Sequence, residues 1–402
     1  MVATKAGVVM RDRVYGSMDF SFAQAELFKT GLLRRLKDVH MSIPQWLLKV
    51  PASPTRFEHS CGVAHLANLV TRLPGFEVVG PNLHCAALAH DAATPPFAHC
   101  CDPFMERCLR MNHEERACQM IEAEDFSRLA RKLGAELSLI KELLRTKWFR
   151  GAPDLDNVDN TLRYGLKMRL CERMYDPRDI VQAYCCIDGQ LCLKPEARLA
   201  VQGWADCRHK VYEEFVYSDD HQAPYLMLRR AIHLAEREKG LPLSFFDMTD
   251  VTAYRWLRSC SIKAVEALLA LAEGKDYHRC VHRTEETVAL LKLMDPLELA
   301  DDIAQHFKLS PDKICVGYGS NRGQKTRVIP FVDEWGTYSW PPPRGLPTWR
   351  LFVFAARGLF TPIEEGTTVT NAEISAYVRG RLDRLLFIPR SQPSVIQQPV
   401  LV

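Results

Sequence analysis

One region of the sequence, residues 56–115, organises the rest of the chain: it reads RFEHS at 56–60, AHDAATPPFAH at 89–99 and NHEE at 112–115. Its imidazoles and carboxylates recur at the ends of apolar segments, where they can turn inward together. A divalent metal needs several neutral nitrogens or anionic oxygens, held by a stiff scaffold. The candidate ligands are His59, His90, Asp91 and the more distant Asp156. This pattern predicts a metal site.

The spacing of apolar residues predicts helices at each part of that site. Helices are expected over 59–72, from Asn82 to Leu88, from His113 to Glu122, over 137–144, and after the N-cap residue Asp154. Asn112 and Glu115 have the spacing of a capping box at the start of the third helix. Because the candidate ligands come from three different helices, a helical bundle is needed to bring them together.

The later part of the chain changes character. Helices are expected over 225–239 and 253–257, and the short β-type runs at 315–316, 328–331 and 351–354 predict a small sheet that is followed by a helix over 371–386. We expect a mainly α protein, with a helical bundle over 1–305 and a small α/β C-terminal subdomain with a tail over 306–402. The glycine-rich segment 317–325 fits a hairpin turn better than a phosphate-binding loop.

Composition narrows the function classes. Of 402 residues, 25% are charged and 47% apolar, which is ordinary for a globular protein and unlike disordered or fibrous chains. The net charge of +3 gives no footprint for obligate nucleic-acid binding but leaves room for a local basic pocket. The sequence has no signal-peptide pattern and no apolar run long enough for a membrane span, so we expect a cytoplasmic protein. Its fourteen cysteines lack a Cys-x-x-Cys pair and are expected to be reduced.

The three motifs, followed by Asp154-x-Asp156, resemble those of the HD-domain phosphohydrolases. Within these, the chain is most similar to the dGTPase-like deoxynucleoside triphosphate triphosphohydrolases. The resemblance is strong over 50–170 and weaker over 205–285, where Tyr212 and His221 match the family's distal half. It implies an HD-domain helical bundle that hydrolyses a nucleotide or another phosphorylated small molecule, with a (deoxy)nucleoside triphosphate as the leading substrate. It also implies one divalent metal ion (Mn, Fe, Co, Mg or Zn) and allows a homo-oligomer.

The resemblance assigns roles to single residues. The implied metal ligands are His59, His90, Asp91 and Asp156. The implied catalytic residues are His113 as general acid, Glu114 or Asp102 to orient it, and His99 in the same pocket. The implied substrate-binding residues are Arg56, Asn160, Arg163 and His221. These roles agree with metal-assisted attack of water on phosphorus, in which an imidazolium protonates the leaving group.

The sequence departs from the family's pattern at three positions. Thr94 stands where family members often have His or Asn, and a hydroxyl cannot replace an imidazole as ligand to a second metal. Asn160 and Tyr164 stand where the relatives tend to carry an aromatic and an acidic residue. Thr94 argues for a mononuclear site. Two alternatives stay open: an iron-dependent HD oxygenase or lyase of a specialised pathway, and a catalytically weakened module that binds a nucleotide.

Overall fold

The computed structural model describes most of the chain. The described residues are 2–3, 7–50, 53–146, 154–187, 190–286, 294–320, 329–340, 349–357 and 369–386. None of the described helices combines the length and the apolar character needed to cross a membrane. Residues 321–325 of the glycine-rich segment and most of the predicted tail lie outside this part, while Gly317 and Gly319 lie in a strand.

Helices dominate the described residues, as predicted. Up to residue 277 the elements are β1 Val2–Ala3, β2 Val8–Asp12, β3 Gly16–Phe20, α1 Phe22–Leu27, α2 Gly31–Arg35, α3 Arg56–Val70, α4 Gly80–Ala89, α5 Asp102–Leu109, α6 His113–Met120, α7 Glu124–Lys132, α8 Leu137–Thr146, α9 Leu155–Lys167, α10 Pro177–Gln182, β4 Tyr184–Ile187, β5 Gln190–Leu193, α11 Arg198–Val211, α12 Asp219–Lys239, α13 Asp250–Ser259 and α14 Lys263–Glu273. The remaining elements are β6 Arg279–Glu286, α15 Pro296–His306, β7 Ile314–Ser320, β8 Pro330–Asp333, β9 Gly336–Ser339, β10 Trp349–Ala355 and α16 Asn371–Leu386.

Capping residues set where the helices of the site begin. The predicted caps are confirmed at α6, where Asn112 and Glu115 form a capping box, and at α9, where the Asp154 side chain accepts from a backbone N–H. Helix α3 begins at Arg56, three residues before the predicted start, because Thr55 and Glu58 form a capping box there. The predicted Asn82 cap is wrong: α4 already begins at Gly80.

Helix α3 lies at the centre of the helices that precede residue 277. It packs against α9, which carries Asp156, and against α4, which is followed directly by His90 and Asp91. Its apolar face is fully buried at Cys61, Val63, Ala64, Leu66 and Ala67. Asn82, inside α4, uses its side-chain oxygen to accept a hydrogen bond of 2.7 Å from the Glu136 backbone N–H. Burial of these apolar faces against one another fixes the relative positions of the three helices.

Within the described residues, the strands form three sheets rather than the single small sheet that was predicted. Strands β1, β2 and β3 form one sheet, β4, β5, β8 and β9 a second, and β6, β10 and β7 a third. The run at 328–331 was predicted to share a sheet with the runs at 315–316 and 351–354. That prediction is wrong, because Phe331 pairs with Leu193 of β5 and is buried in the same hydrophobic core as the residues of α3 and α4. The charged strand β6 was not predicted.

Contacts divide the described residues into two compact units. Those up to 277 and those of 329–340 form the first unit, and those of 278–320, 349–357 and 369–386 form the second. In the second unit, β10 is the central antiparallel strand, and the apolar residues of α15 and α16 share a core with it. The domain boundary at 305 stays a prediction.

Candidate metal centre

Two imidazoles and one carboxylate converge at the inner ends of α3 and α4. The ligand atoms of His59, His90 and Asp91 all lie within 4.8 Å of one another, and all three residues are buried. The two Nε2 atoms are 3.2 Å apart. Asp91 Oδ2 lies 3.7 Å from Nε2 of His59 and 3.4 Å from Nε2 of His90. This is the donor set that Zn²⁺, Fe²⁺, Mn²⁺ or Co²⁺ binds.

The outer nitrogen of each imidazole is held by an acceptor. His59 Nδ1 donates to Asp159 Oδ1 at 2.7 Å, and His90 Nδ1 donates to the carbonyl oxygen of Ala87 at 2.7 Å. In the neutral rings both Nε2 atoms therefore present lone pairs, and they face each other and the Asp91 carboxylate. Burial lowers the pKa of His59, but hydrogen bonds to Asp156 and Asp159 raise it to about 9. Nitrogen lone pairs and carboxylates that face one another in this way stabilise a cation placed between them.

Asp156 lies beside this group. Its Oδ1 is 3.0 Å from His59 Nε2 and accepts a 3.0 Å hydrogen bond from Asn160 Nδ2. Among the described residues, however, the group whose ligand atoms lie within 4.8 Å of one another contains only the two histidines and Asp91. The role of Asp156 as a ligand therefore stays a prediction.

Asp159, which was not among the predicted site residues, holds His59 from behind. It is fully buried, and its Oδ2 accepts from the Tyr15 hydroxyl at 2.9 Å and from Arg163 Nη2 at 2.8 Å. Arg163 in turn donates to Asp12 at 2.7 Å. Burial raises the pKa of Asp159, but the Arg163 guanidinium and the bond from His59 lower it to about 2. The ionised carboxylate fixes the tautomer and the orientation of His59.

Arg163 stabilises the buried Asp159 carboxylate, and its predicted contact with substrate stays a prediction. Its guanidinium is buried and is bound to Asp159 on one side and Asp12 on the other. Gly62, one turn after His59 on α3, makes room for this pair. A Cβ atom at Gly62 would overlap oxygen and nitrogen atoms of the pair and lie 2.8 Å from Asp159 Cγ. The absence of a side chain at 62 therefore allows α3 to approach α9 closely.

Arg56 and Thr94 hold the other carboxylate. Arg56 Nη1 donates to Asp91 Oδ2 at 2.9 Å, and the Thr94 hydroxyl donates to Asp91 Oδ1 at 3.2 Å. Burial raises the pKa of Asp91, but the charges of Arg56, His90 and His59 hold it well below its usual range. Asp91 is therefore an ionised ligand whose two oxygens are both oriented.

Two further histidines, His99 and His113, each lie beside a carboxylate. His99 Nδ1 is 2.7 Å from Asp102 Oδ2, and His113 Nε2 is 3.1 Å from Glu114 Oε1. The side chain of His99 is 61% exposed and that of His113 is 26% exposed. Burial raises the pKa of Asp102, while the charges of His99, His113 and Arg56 lower it. Asp102 therefore lies within electrostatic range of both histidines and of the arginine bound to Asp91.

The turn that carries His99 is strained and is held by one buried carboxylate. Phe97 and Ala98 both have a left-handed backbone, with φ of 62° and 49°. The Phe97 N–H donates to Asp250 Oδ1 at 2.7 Å, and His40 donates to Asp250 Oδ2 through its backbone N–H at 2.9 Å and its ring at 2.7 Å. Asp250 thereby fixes a conformation that costs energy in a residue with a side chain.

Several known proteins resemble this chain in sequence or in fold. No family model matches the chain. Over 258 residues the chain is 22% identical to the uncharacterized protein MJ1154 of Methanocaldococcus jannaschii, covering 62% of this chain and 55% of that protein. Over 126 residues it is 29% identical to deoxynucleoside triphosphate triphosphohydrolase SAMHD1 of Gallus gallus, covering 28% of this chain and 20% of that protein.

A crystal structure of a phosphohydrolase from Bacteroides thetaiotaomicron has the same fold. Its TM-score is 0.65 at 16% identity, and the superposition covers 86% of this chain and 99% of that one. The resemblance to the HD-domain phosphohydrolases is confirmed. These names also support the predicted class of enzyme, a hydrolase.

The remaining substrate-binding residues predicted from the HD-domain pattern have partners within the protein. His221 is buried. Its Nε2 accepts from the Ser42 hydroxyl at 2.7 Å, its Nδ1 donates to the Val216 carbonyl at 3.1 Å, and burial lowers its pKa to about 4. Asn160 donates to Asp156. Substrate contacts by His221 and Asn160 stay predictions.

Asp159 could have been found from the sequence by its position alone. It stands three residues after Asp156 on the same helix, so the two carboxylates share one face. Gly62 and Asp250 gave no comparable signal, because their importance depends on contacts with residues far away in the chain.

Proposed function

We propose that this protein is a metal-dependent HD-domain phosphohydrolase that acts on a nucleotide, with a (deoxy)nucleoside triphosphate as the leading substrate. The observation that carries the proposal is the convergence of His59 Nε2, His90 Nε2 and Asp91 Oδ2, with each outer ring nitrogen already bound to an acceptor. His59, His90 and Asp91 would hold a divalent ion, which would lower the pKa of a bound water and polarise a phosphoryl oxygen. Asp156, 3.0 Å from His59, would complete the ligand set.

Arg56 supplies positive charge beside the proposed metal. Its guanidinium donates to Asp91 and keeps that carboxylate ionised. A guanidinium at the edge of a metal site also attracts and orients phosphate oxygens. Arg56 would therefore favour a phosphorylated substrate over a neutral one.

His113 is the proposed general acid. It lies 3.1 Å from the buried Glu114, and both His113 and His99 are within electrostatic range of Asp102. A carboxylate beside an imidazole favours the protonated ring and fixes its orientation. The imidazolium could then protonate the departing oxygen, and His99 would help to hold the phosphate chain.

The substrate class comes from the relatives. SAMHD1 of Gallus gallus is named a deoxynucleoside triphosphate triphosphohydrolase, and this chain spans 20% of its length and 55% of the length of MJ1154. The local sequence match and the Arg56 guanidinium beside Asp91 support a nucleotide with several phosphates. Asn160 and His221 would contact its sugar or base.

The test is a panel of nucleoside and deoxynucleoside mono-, di- and triphosphates, each assayed with Mn²⁺, Fe²⁺, Co²⁺ and Mg²⁺. We expect metal-dependent release of inorganic phosphate, pyrophosphate or triphosphate. The double variant His90→Ala with Asp91→Ala should lose this activity, and the control His209→Ala, at an exposed position, should keep it. Equal turnover by the double variant would remove the proposal.

A nucleotide-binding module without turnover is the second candidate. Thr94 favours it, because its hydroxyl only orients Asp91 and cannot serve as a ligand to another metal or as a strong proton donor. A nucleotide that raises Tm without being consumed in the same panel would support this alternative.

A further inference from the structure

Two cysteines that are distant in sequence meet at the end of α9. The sulfur atoms of Cys171 and Cys207 are 3.3 Å apart, and all fourteen cysteines of the chain are reduced. Cys171 belongs to the segment after α9, and Cys207 lies on α11. A disulfide bond is about 2.05 Å long, so small side-chain rotations would bring the sulfur atoms into bonding distance.

The end of α9 is shaped to hold both sulfur atoms. The backbone N–H groups of Leu170 and Cys171 both donate to the Gly165 carbonyl, at 2.9 and 3.4 Å, and Arg169 has a left-handed φ of 57°. The chain thus folds back over the helix end. A Cβ atom at Gly165 would overlap the Cys171 sulfur and lie 3.1 Å from the Cys207 sulfur. The glycine therefore leaves space for the two thiols.

The two thiols differ in access and in acidity. Cys171 is partly exposed, whereas Cys207 is buried. The hydrogen bond between them lowers the pKa of Cys171, and the same bond together with burial raises the pKa of Cys207. An accessible thiol of lowered pKa next to a second thiol is the arrangement found in cysteines that are oxidised reversibly.

We propose that Cys171 and Cys207 form a reversible, oxidant-sensitive disulfide site. The Cys171 thiolate attacks a hydroperoxide, so that a sulfur–oxygen bond forms, the oxygen–oxygen bond breaks, and an alcohol or water leaves. Cys207 then attacks the sulfur of the resulting sulfenic acid, so that the disulfide forms, the sulfur–oxygen bond breaks, and the hydroxyl leaves as water with the proton of the Cys207 thiol. The hydroperoxide is reduced by two electrons, which the two thiols supply.

The bridge would join α11 to the end of the helix that carries Asp156 and Asp159. Helices α9 and α11 already contact each other in the first half of α9. Arg208 Nη1 donates to the Asn157 side chain at 2.9 Å, and Cys207 Sγ lies 3.8 Å from the Thr161 carbonyl. Oxidation would therefore tie α11 covalently to the segment that follows α9.

The test uses the full chain and needs no enzymatic activity. The folded protein is treated with hydrogen peroxide, remaining thiols are alkylated, and tryptic peptides are identified by mass spectrometry. Trypsin releases Cys171 in peptide 170–173 and Cys207 in peptide 199–208. We expect these two peptides to appear linked after oxidation, to separate again after treatment with dithiothreitol, and the oxidised protein to have a higher Tm.

Three variants separate the steps. Cys207→Ser should accumulate a sulfenic acid at Cys171 that dimedone traps, and Cys171→Ser should leave Cys207 reduced. Cys186→Ser, at an exposed cysteine, should form the linked peptide as the wild type does. The proposal is overturned if the wild-type peptides stay separate under conditions that oxidise Cys186. Because the readout is covalent, its failure would leave the phosphohydrolase proposal untouched, and the reverse also holds.

Discussion

Replacing Asp159 with asparagine tests how the rest of the fold prepares His59 to hold a metal. The substitution keeps the size of the side chain and removes its charge. Asp159 accepts four hydrogen bonds, one from His59, two from Arg163 and one from Tyr15. The amide nitrogen of asparagine cannot accept, so the donors on one side of the group lose their acceptor.

The expected loss has two parts. Removing one partner of a buried ion pair costs about 3 to 5 kcal/mol. We expect the lower end, about 3 kcal/mol of unfolding free energy, because Arg163 keeps its bond to Asp12. Loss of the carboxylate behind a ligating imidazole weakens metal binding by about 10- to 100-fold. That factor corresponds to about 1.4 to 2.7 kcal/mol of binding free energy.

Urea unfolding without metal measures the first part, and isothermal titration with Mn²⁺ or Co²⁺ measures the second. The control is Asp19→Asn, which removes a carboxylate from an exposed position on β3 and should change neither quantity. If Asp159→Asn loses stability but binds the metal as tightly as the wild type, Asp159 does not orient His59 and the reasoning is refuted.

Three further outcomes follow from the structure. Burial lowers the pKa of His84 to about 4, so the unfolded chain takes up the proton at higher pH than the folded chain. The unfolding free energy should therefore fall by up to about 3 kcal/mol as the pH is lowered from about 6.5 to about 4. His84→Leu should lack this part of the pH dependence, which urea titrations at several pH values measure. Gly62→Ala should lower the unfolding free energy by about 1 to 3 kcal/mol and weaken metal binding, because the new methyl group overlaps Asp159 and Arg163. The control Gly380→Ala should change neither quantity, since no atom lies within 4 Å of the new Cβ. Asp250→Ala should lower the unfolding free energy by about 2 to 3 kcal/mol and speed hydrogen exchange at the Phe97 amide, which loses its acceptor. Unchanged exchange at this amide would contradict the role of the Asp250 carboxylate in holding the turn.

Local chemistry made much of the fold and the metal cluster predictable. Helix α3 with His59, helix α4 ending at His90, and helix α6 starting at His113 follow from apolar spacing and capping residues that lie close together in the chain. The convergence of His59, His90 and Asp91 was expected from the motifs they belong to, and the structure brings them together.

The parts that sequence did not predict depend on contacts between distant segments. Asp159 matters because Tyr15 and Asp12, far away in the chain, come back to meet it and its neighbour Arg163. Strand β8 was assigned to the wrong sheet, since a short apolar run shows that a strand forms but not which strand it pairs with. The hydrogen bond from the Phe97 N–H to Asp250 spans 153 residues.

Equilibrium dialysis of the purified protein against Mn²⁺, Co²⁺ and Zn²⁺, followed by elemental analysis, measures directly whether His59, His90 and Asp91 hold a metal. We expect one divalent ion per chain, and we expect the double variant His90→Ala with Asp91→Ala to bind it at least about tenfold more weakly. Equal binding by the wild type and the double variant, or no binding by the wild type, would contradict a metal centre at this site.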